Sequence, residues 1–219
     1  MLATNGLDPI VLTLALALLG LVPLAFVTTT AFLKISIVLS LVRNALGVQQ
    51  SPPNIVLYAL SLMLTVFIMA PIGYEIADAV QSDPTPMRSA TSFIDAGKRG
   101  AEPMRKFLLA NSKVEQRDFF MGQAKRIWPA KMASEARQTD LLILVPAFVV
   151  TELTAAFEIG FLLFLPFIVI DLVVSNILMA MGMMMVSPAT ITLPLKLFLF
   201  VMVDGWSRLL HGLVLTYRL

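Results

Sequence analysis

The sequence predicts an all-α, membrane-associated fold of four long, kinked apolar helices arranged as hairpins, with a short amphipathic helical segment between them. Three observations predict it. Hydrophobic residues make up 58% and charged residues 14% of the 219, where soluble domains run near ~45–50% and ~25%. The runs 9–33, 44–74 and 172–195 carry no charge at all, and each exceeds the ~20 residues a helix needs to cross a bilayer. Finally, the charges collect in one place: 88–140 holds 11 Lys/Arg and 6 Asp/Glu, a balance of +5, and the rest of the chain balances at −3. This composition excludes a disordered chain, a coiled coil and a soluble globular enzyme. Without cysteine there is no disulfide, zinc–thiolate site or thiol chemistry. Neither a metal nor a cofactor is expected. The basic segment alternates in sign and reads as a solvated face, so no nucleic-acid partner is expected.

The elements follow in order within a single unit, 1–219: an N-terminal apolar hairpin over 9–80, an amphipathic segment over 81–140 and a C-terminal hairpin over 141–219. Residues 9–43 form the first apolar helix. Asp8 precedes it and no basic stretch does, so it reads as a retained segment rather than a signal peptide. Residues 44–53 are a turn, in which Gly47 ends one helix and Pro52 and Pro53 open the next. The second apolar helix runs over 54–80, and Pro71 should kink or fray it. Residues 81–92 are a loop. Short amphipathic helices fill 93–138, punctuated by Pro103 and Pro129, with Phe107, Phe119, Phe120, Ile127 and Trp128 on the apolar face. Thr139 or Asp140 caps the next helix. The nearly continuous apolar stretch 141–186 would be about 69 Å long as a straight helix. It therefore either breaks, at Pro146, Gly160 or Pro166, or reaches beyond a lipid slab. Pro188 turns the chain, 190–194 is a linker, and 195–218 is the last helix. Lys34 and Arg43 place the short turn in the cytoplasm, and both termini and the middle segment outside.

Charges inside apolar runs carry the functional information. Glu152, Glu158, Asp171, Lys196 and Asp204 would each be costly in lipid and are functional or paired by default. On a regular helix Glu158 lies about 240° and Asp171 about 100° around from Glu152, so no lipid-facing side is free of carboxylates. Protein or water must surround this helix, which implies an oligomer or a water-lined path. Lys196 needs a partner: Glu152 is the first candidate, Glu158 and Asp171 the alternatives, as an intersubunit or interhelix bridge. The plain alternative is that Lys196 snorkels to a water surface.

Met179, Met181, Met183, Met184 and Met185 place five methionines in seven residues beside Gly182. Methionine repacks against many surfaces. Three in a row on a helix point in three directions, so one core cannot hold them all. At a hairpin tip they can line a constriction that seals against ions and yields to a passing chain. Catalytic patterns are missing: His211 is alone, and neither Asp171 nor Asp204 sits in the Gly-x-Gly-Asp setting of intramembrane aspartyl proteases. The chain is not expected to be an enzyme.

Several stretches resemble one family. They are 41–50 (Leu-Val-Arg-Asn-Ala-Leu-Gly-Val-Gln-Gln) with Pro52-Pro53-Asn54, 144–148, 157–161, 165–171, and 181–188 through Lys196 to Val203-Asp204-Gly205-Trp206. They are similar to the R-type core subunit of type III secretion export gates, the SctR/YscR family homologous to flagellar FliP, and closer to the injectisome branch. The resemblance implies a structural, non-enzymatic subunit whose copies, about five, wind with two smaller S- and T-type subunits as a helical oligomer into a conical gate. It implies the bacterial inner membrane, with much of the assembly displaced toward the periplasm, and larger switch subunits and unfolded secreted substrates as further partners. It also implies that Met183, Met184 and Met185 close the lumen, supported by Met179 and Met181, and that Lys196 and Glu152 occupy ionisable positions of the family pattern. The rival reading is a small-solute secondary transporter using the buried charges as a coupling site, but four apolar segments and no internal repeat count against it.

Overall fold

The computed structural model describes residues 9–48, 51–81, 90–183 and 185–218. Helices make up 86% of them, and there is no strand among the described residues. In order these are α1 (Pro9–Thr29), α2 (Phe32–Leu46), α3 (Asn54–Gln81), α4 (Ala90–Asn111), α5 (Val114–Ile127), α6 (Ala130–Glu135), α7 (Leu141–Ala180), α8 (Pro188–Met202) and α9 (Gly205–Leu215). By length and composition α3 and α7 can each cross a membrane, and the bent pairs α1/α2 and α8/α9 raise the number of candidate spans to as many as four.

The helix expected over 9–43 is two helices, bent by 61° at residues 30 and 31. Thr28, Thr29 and Thr30 stand in sequence there. Their hydroxyls donate back to the carbonyls of Leu24, Ala25 and Phe26 at 2.7–2.8 Å, competing with the ladder and loosening the helix at that turn. The break changes the environment of the chain. Described α1 residues such as Leu19 and Leu24 are exposed, whereas α2 buries Ile35, Val38, Leu39 and Val42 completely or nearly so.

Prolines end fewer helices than expected. Pro71 lies inside α3 and Pro103 inside α4. α7 runs unbroken through Pro146, Gly160 and Pro166 for 40 residues, about 60 Å. A proline removes one backbone bond, and a long apolar helix absorbs that loss by local adjustment. Gly160 has a different task. A Cβ there would meet the Leu41 side chain, its own Cβ only 3.2 Å away, so the missing side chain lets α2 approach α7. α7 stops at Ala180, six residues before the expected end. Gly182 adopts φ +74, its N–H donates to the Met179 carbonyl, and that of Met183 donates to Leu178, each at 3.0 Å. This paired closure is the Schellman arrangement.

The expected 190–194 linker is helical. Pro188 takes the first position of α8, where a proline has no bond to lose. The final helix breaks instead at Asp204, which has φ +52, giving a 60° bend between α8 and α9. Gly205 packs so closely on the Phe200 ring that a Cβ would overlap it, and Trp206 stands edge-on to the same ring at 5.3 Å.

Two compact units divide the chain: 1–31, 67–151 and 218–219 in the first, 32–66 and 152–217 in the second. In the first, Phe107 and Phe148 pack with centroids 5.7 Å apart beside buried Leu108, Ile143 and Leu144. Trp128 ends α5, and Pro129 separates it from α6. Asn111 holds Arg218 by two backbone hydrogen bonds, at 2.8 and 3.0 Å. Asp140 stands just before α7, but its carboxylate accepts the Arg137 N–H at 2.8 Å and turns the preceding loop. In the second unit, α2 supplies the largest share of the core, with Leu57, Ala156, Phe167, Leu209 and Leu213. Ser61 and Thr65, fully buried on α3, satisfy their hydroxyls on the carbonyls of Leu57 and Ser61 at 2.8 and 2.7 Å.

Candidate functional site

The second unit contains a buried polar cluster around Glu152. The residue lies on α7, 2% exposed. Lys34 of α2 donates from Nζ to its Oε1 at 3.1 Å, and the Tyr217 hydroxyl donates to Oε2. The Lys34 ammonium also lies 3.8 Å from the Tyr217 ring centroid, so the ring face and the carboxylate together neutralise it. Both carboxylate oxygens are thus engaged, as a buried charge requires. Tyr217 follows α9. Burial first, and then the neighbouring Glu152 carboxylate, pushes its phenol far above the ordinary range, and it remains a donor.

Lys196 makes a second ion pair. It is buried on α8 and donates to Asp171 Oδ2 of α7 at 2.6 Å. Asp171 is half-exposed, and the pair borders a small cavity with Gly47, Pro188 and Thr192. The first expected pairing, Lys196 with Glu152, is not formed within the chain, because Glu152 is already occupied by Lys34 and Tyr217. Lys196 meets the alternative, Asp171. Glu158 is exposed, with no side-chain partner among the described residues.

Lys34 and Tyr217 were missed in the sequence. Lys34 read as a loop charge, yet it stands as a lone cation between two uncharged runs, the same signal that singled out Lys196. It is not a loop charge, and only Arg43 remains of the two that placed the turn in the cytoplasm. Arg43 donates to the Asn54 side chain and, at 3.3 Å, to the Pro52 carbonyl, clasping the turn that Gly47 opens with φ +77. Pro53 immediately precedes α3, and its carbonyl accepts the Val56 N–H at 3.0 Å.

The methionines follow the end of α7. Met179, Met181 and Met183 are exposed, and Met185 is fully exposed at 100%. Met184 lies outside the described residues. Among the described residues no group of His, Cys, Asp and Glu is arranged to hold a metal.

Apolar helices of membrane-spanning length, two internal ion pairs and an exposed methionine turn define an all-α membrane protein. The chain belongs to the FliP family, whose model matches residues 15–213. It is 54% identical to "Probable translocation protein y4yL" of Sinorhizobium fredii, over 93% of this chain and 91% of that one. It is 50% identical to "Yop proteins translocation protein R" of Yersinia pestis, over 96% and 97%. It is 45% identical to "Virulence protein YscR" of Salmonella typhimurium, again over 96% and 97%.

Proposed function

We propose that this chain is a structural, pore-forming subunit of a type III secretion export gate, passing unfolded proteins across the bacterial inner membrane. The observation that carries the reading is the state of α7. It is about 60 Å long, buries a neutralised charge near one end, leaves Phe157, Phe161, Leu165 and Leu172 exposed along its length, and ends at an exposed methionine turn. Such a helix is finished by neighbours. The names of its relatives, translocation and virulence proteins that match it nearly end to end, support the same reading. In it the chain assembles with itself, about five copies in a helical arrangement, and with the S- and T-type subunits, and much of the assembly stands toward the periplasm. Met183, Met184 and Met185 form the seal, supported by Met179 and Met181. Substrates reach the gate through larger switch subunits, and energy comes from elsewhere.

The transporter reading lacks support. The relatives that match the chain nearly end to end are named as translocation and virulence proteins, and the buried carboxylate Glu152 is already held by Lys34 and Tyr217. The deciding experiment is the native mass of the detergent-extracted chain, alone and with the two smaller subunits. A multi-copy species that grows when they are added is expected. A monomer or dimer indifferent to them overturns the reading.

A further inference from the structure

Two charged side chains of the second unit, Glu158 on α7 and Arg208 on α9, have no ion-pair or hydrogen-bond partner among the described residues. Arg208 makes no ion pair with Asp204, four positions before it. Both are exposed in predominantly apolar surroundings. Around α7, at about 100° per residue, with Glu158 at zero, Leu162 falls near 40°, Leu165 near 340°, Val169 near 20° and Leu172 near 320°. All four are exposed, by 43–65%. They form an apolar ridge with one carboxylate in it. Ile159, Leu163, Pro166 and Phe167 lie between about 80° and 180° on the same helix, on a separate side of it. There they line an apolar cavity of about 580 Å³ whose lining includes Arg208 of α9.

The second unit therefore carries a projecting apolar ridge with an unpaired anion and, around the side of the same α7, an apolar receptacle to which α9 adds an unpaired cation. A carboxylate turned toward lipid is unfavourable, and a guanidinium is the partner best suited to it. Because the surfaces differ and their centres lie about 125° apart around the helix, one copy cannot satisfy itself, and two copies related by a two-fold axis would set ridge against ridge or receptacle against receptacle. The complementary contact is ridge into receptacle, repeated from copy to copy, a heterologous arrangement that closes as a ring or winds as a helix. We propose that the Glu158 ridge of one copy docks in the Arg208 cavity of the next. This rests on the multi-copy reading above and names the surfaces that would produce it.

The chain has no cysteine of its own, so introduced pairs report without background. Leu162→Cys and Val203→Cys together, one on the ridge and one at the cavity, should give on mild oxidation, or with a short bis-maleimide, a ladder extending beyond dimer. Each alone should stay monomeric on a denaturing gel. Glu158→Arg and Arg208→Glu should each lose the multi-copy species on native mass, and the double exchange should regain it. Dimers from Leu162→Cys alone mean like faces meet, and overturn the proposal. A normal multi-copy mass with no ladder, and with Glu158→Arg assembling as the parent does, means lipid or another subunit covers the ridge. The docking proposal then falls and the gate reading stands. A parent chain that is monomeric with the smaller subunits present overturns both.

Discussion

Lys34 and Glu152, 118 positions apart, meet as a buried ion pair at 3.1 Å with their side chains 4% and 3% exposed. Removing one partner of such a pair strands the other charge and costs about 3–5 kcal/mol, whereas replacing both by apolar residues of similar volume is close to neutral. Lys34→Met is therefore expected to lower stability in detergent by that amount, and Lys34→Met with Glu152→Leu to recover most of it. Denaturant or thermal unfolding of the two variants checks this. Equal losses in both would show that the cavity left behind, rather than the unpaired charge, sets the cost.

Tyr217 ties the end of the second unit to Glu152. Tyr217→Phe removes a hydrogen bond to a charged acceptor, worth about 1.5–3 kcal/mol. The pH dependence has a definite sign. The folded phenol is raised above its ordinary value of 10.0, so its contribution is complete below pH 10 and declines above it, where only the unfolded chain releases the proton. The slope is about 1.4 kcal/mol per pH unit. A stability profile between pH 8 and pH 12 should show the decline in the parent and lose this component in Tyr217→Phe.

Lys196→Glu sets a second carboxylate against Asp171 at a buried position. Loss of assembly on native mass is expected, with partial recovery when Asp171→Lys is added. Normal assembly of Lys196→Glu alone would remove this pair from any role in building the oligomer.

Replacing Met183, Met184 and Met185 by alanine shortens every side chain assigned to the seal. In the assembled gate the expected result is raised ion conductance across the membrane with the oligomer intact. An unchanged barrier would end the assignment of the seal to these residues.

Gly160→Ala introduces a methyl group where Leu41 already stands. Overpacking of this kind costs about 1–3 kcal/mol. Gly160→Ala combined with Leu41→Ala should relieve part of that cost, which a double-mutant comparison of melting temperatures can measure.

Composition and uncharged run lengths made the fold class legible, because burial in lipid or in neighbouring helices selects for them along each segment. Proline and glycine were less informative. Pro146 and Pro166 looked like breaks and were absorbed by α7, whereas the true interruption lay at three consecutive threonines whose hydroxyls compete for backbone carbonyls. Gly160 looked like a hinge and is a point of close approach to Leu41, which nothing local to residue 160 could reveal. The charges showed the same division. That Glu152 and Lys196 needed partners was visible from cost alone. Which partners they take depends on packing between α2, α7 and α8, so Lys34 was passed over, and within the chain Lys196 pairs with Asp171, an alternative rather than the first candidate. Tyr217, a single tyrosine at the end of a short helix, gave no warning of its role.

The closure of α7 at Gly182 bears on how this protein can change. The turn satisfies the carbonyls of Leu178 and Met179 from within itself, so the helix ends without borrowing anything from the methionines after Met183. Met185, fully exposed, can be substituted without costing α7 its end. The proposed seal can therefore be altered in chemistry without rebuilding the helix that carries it.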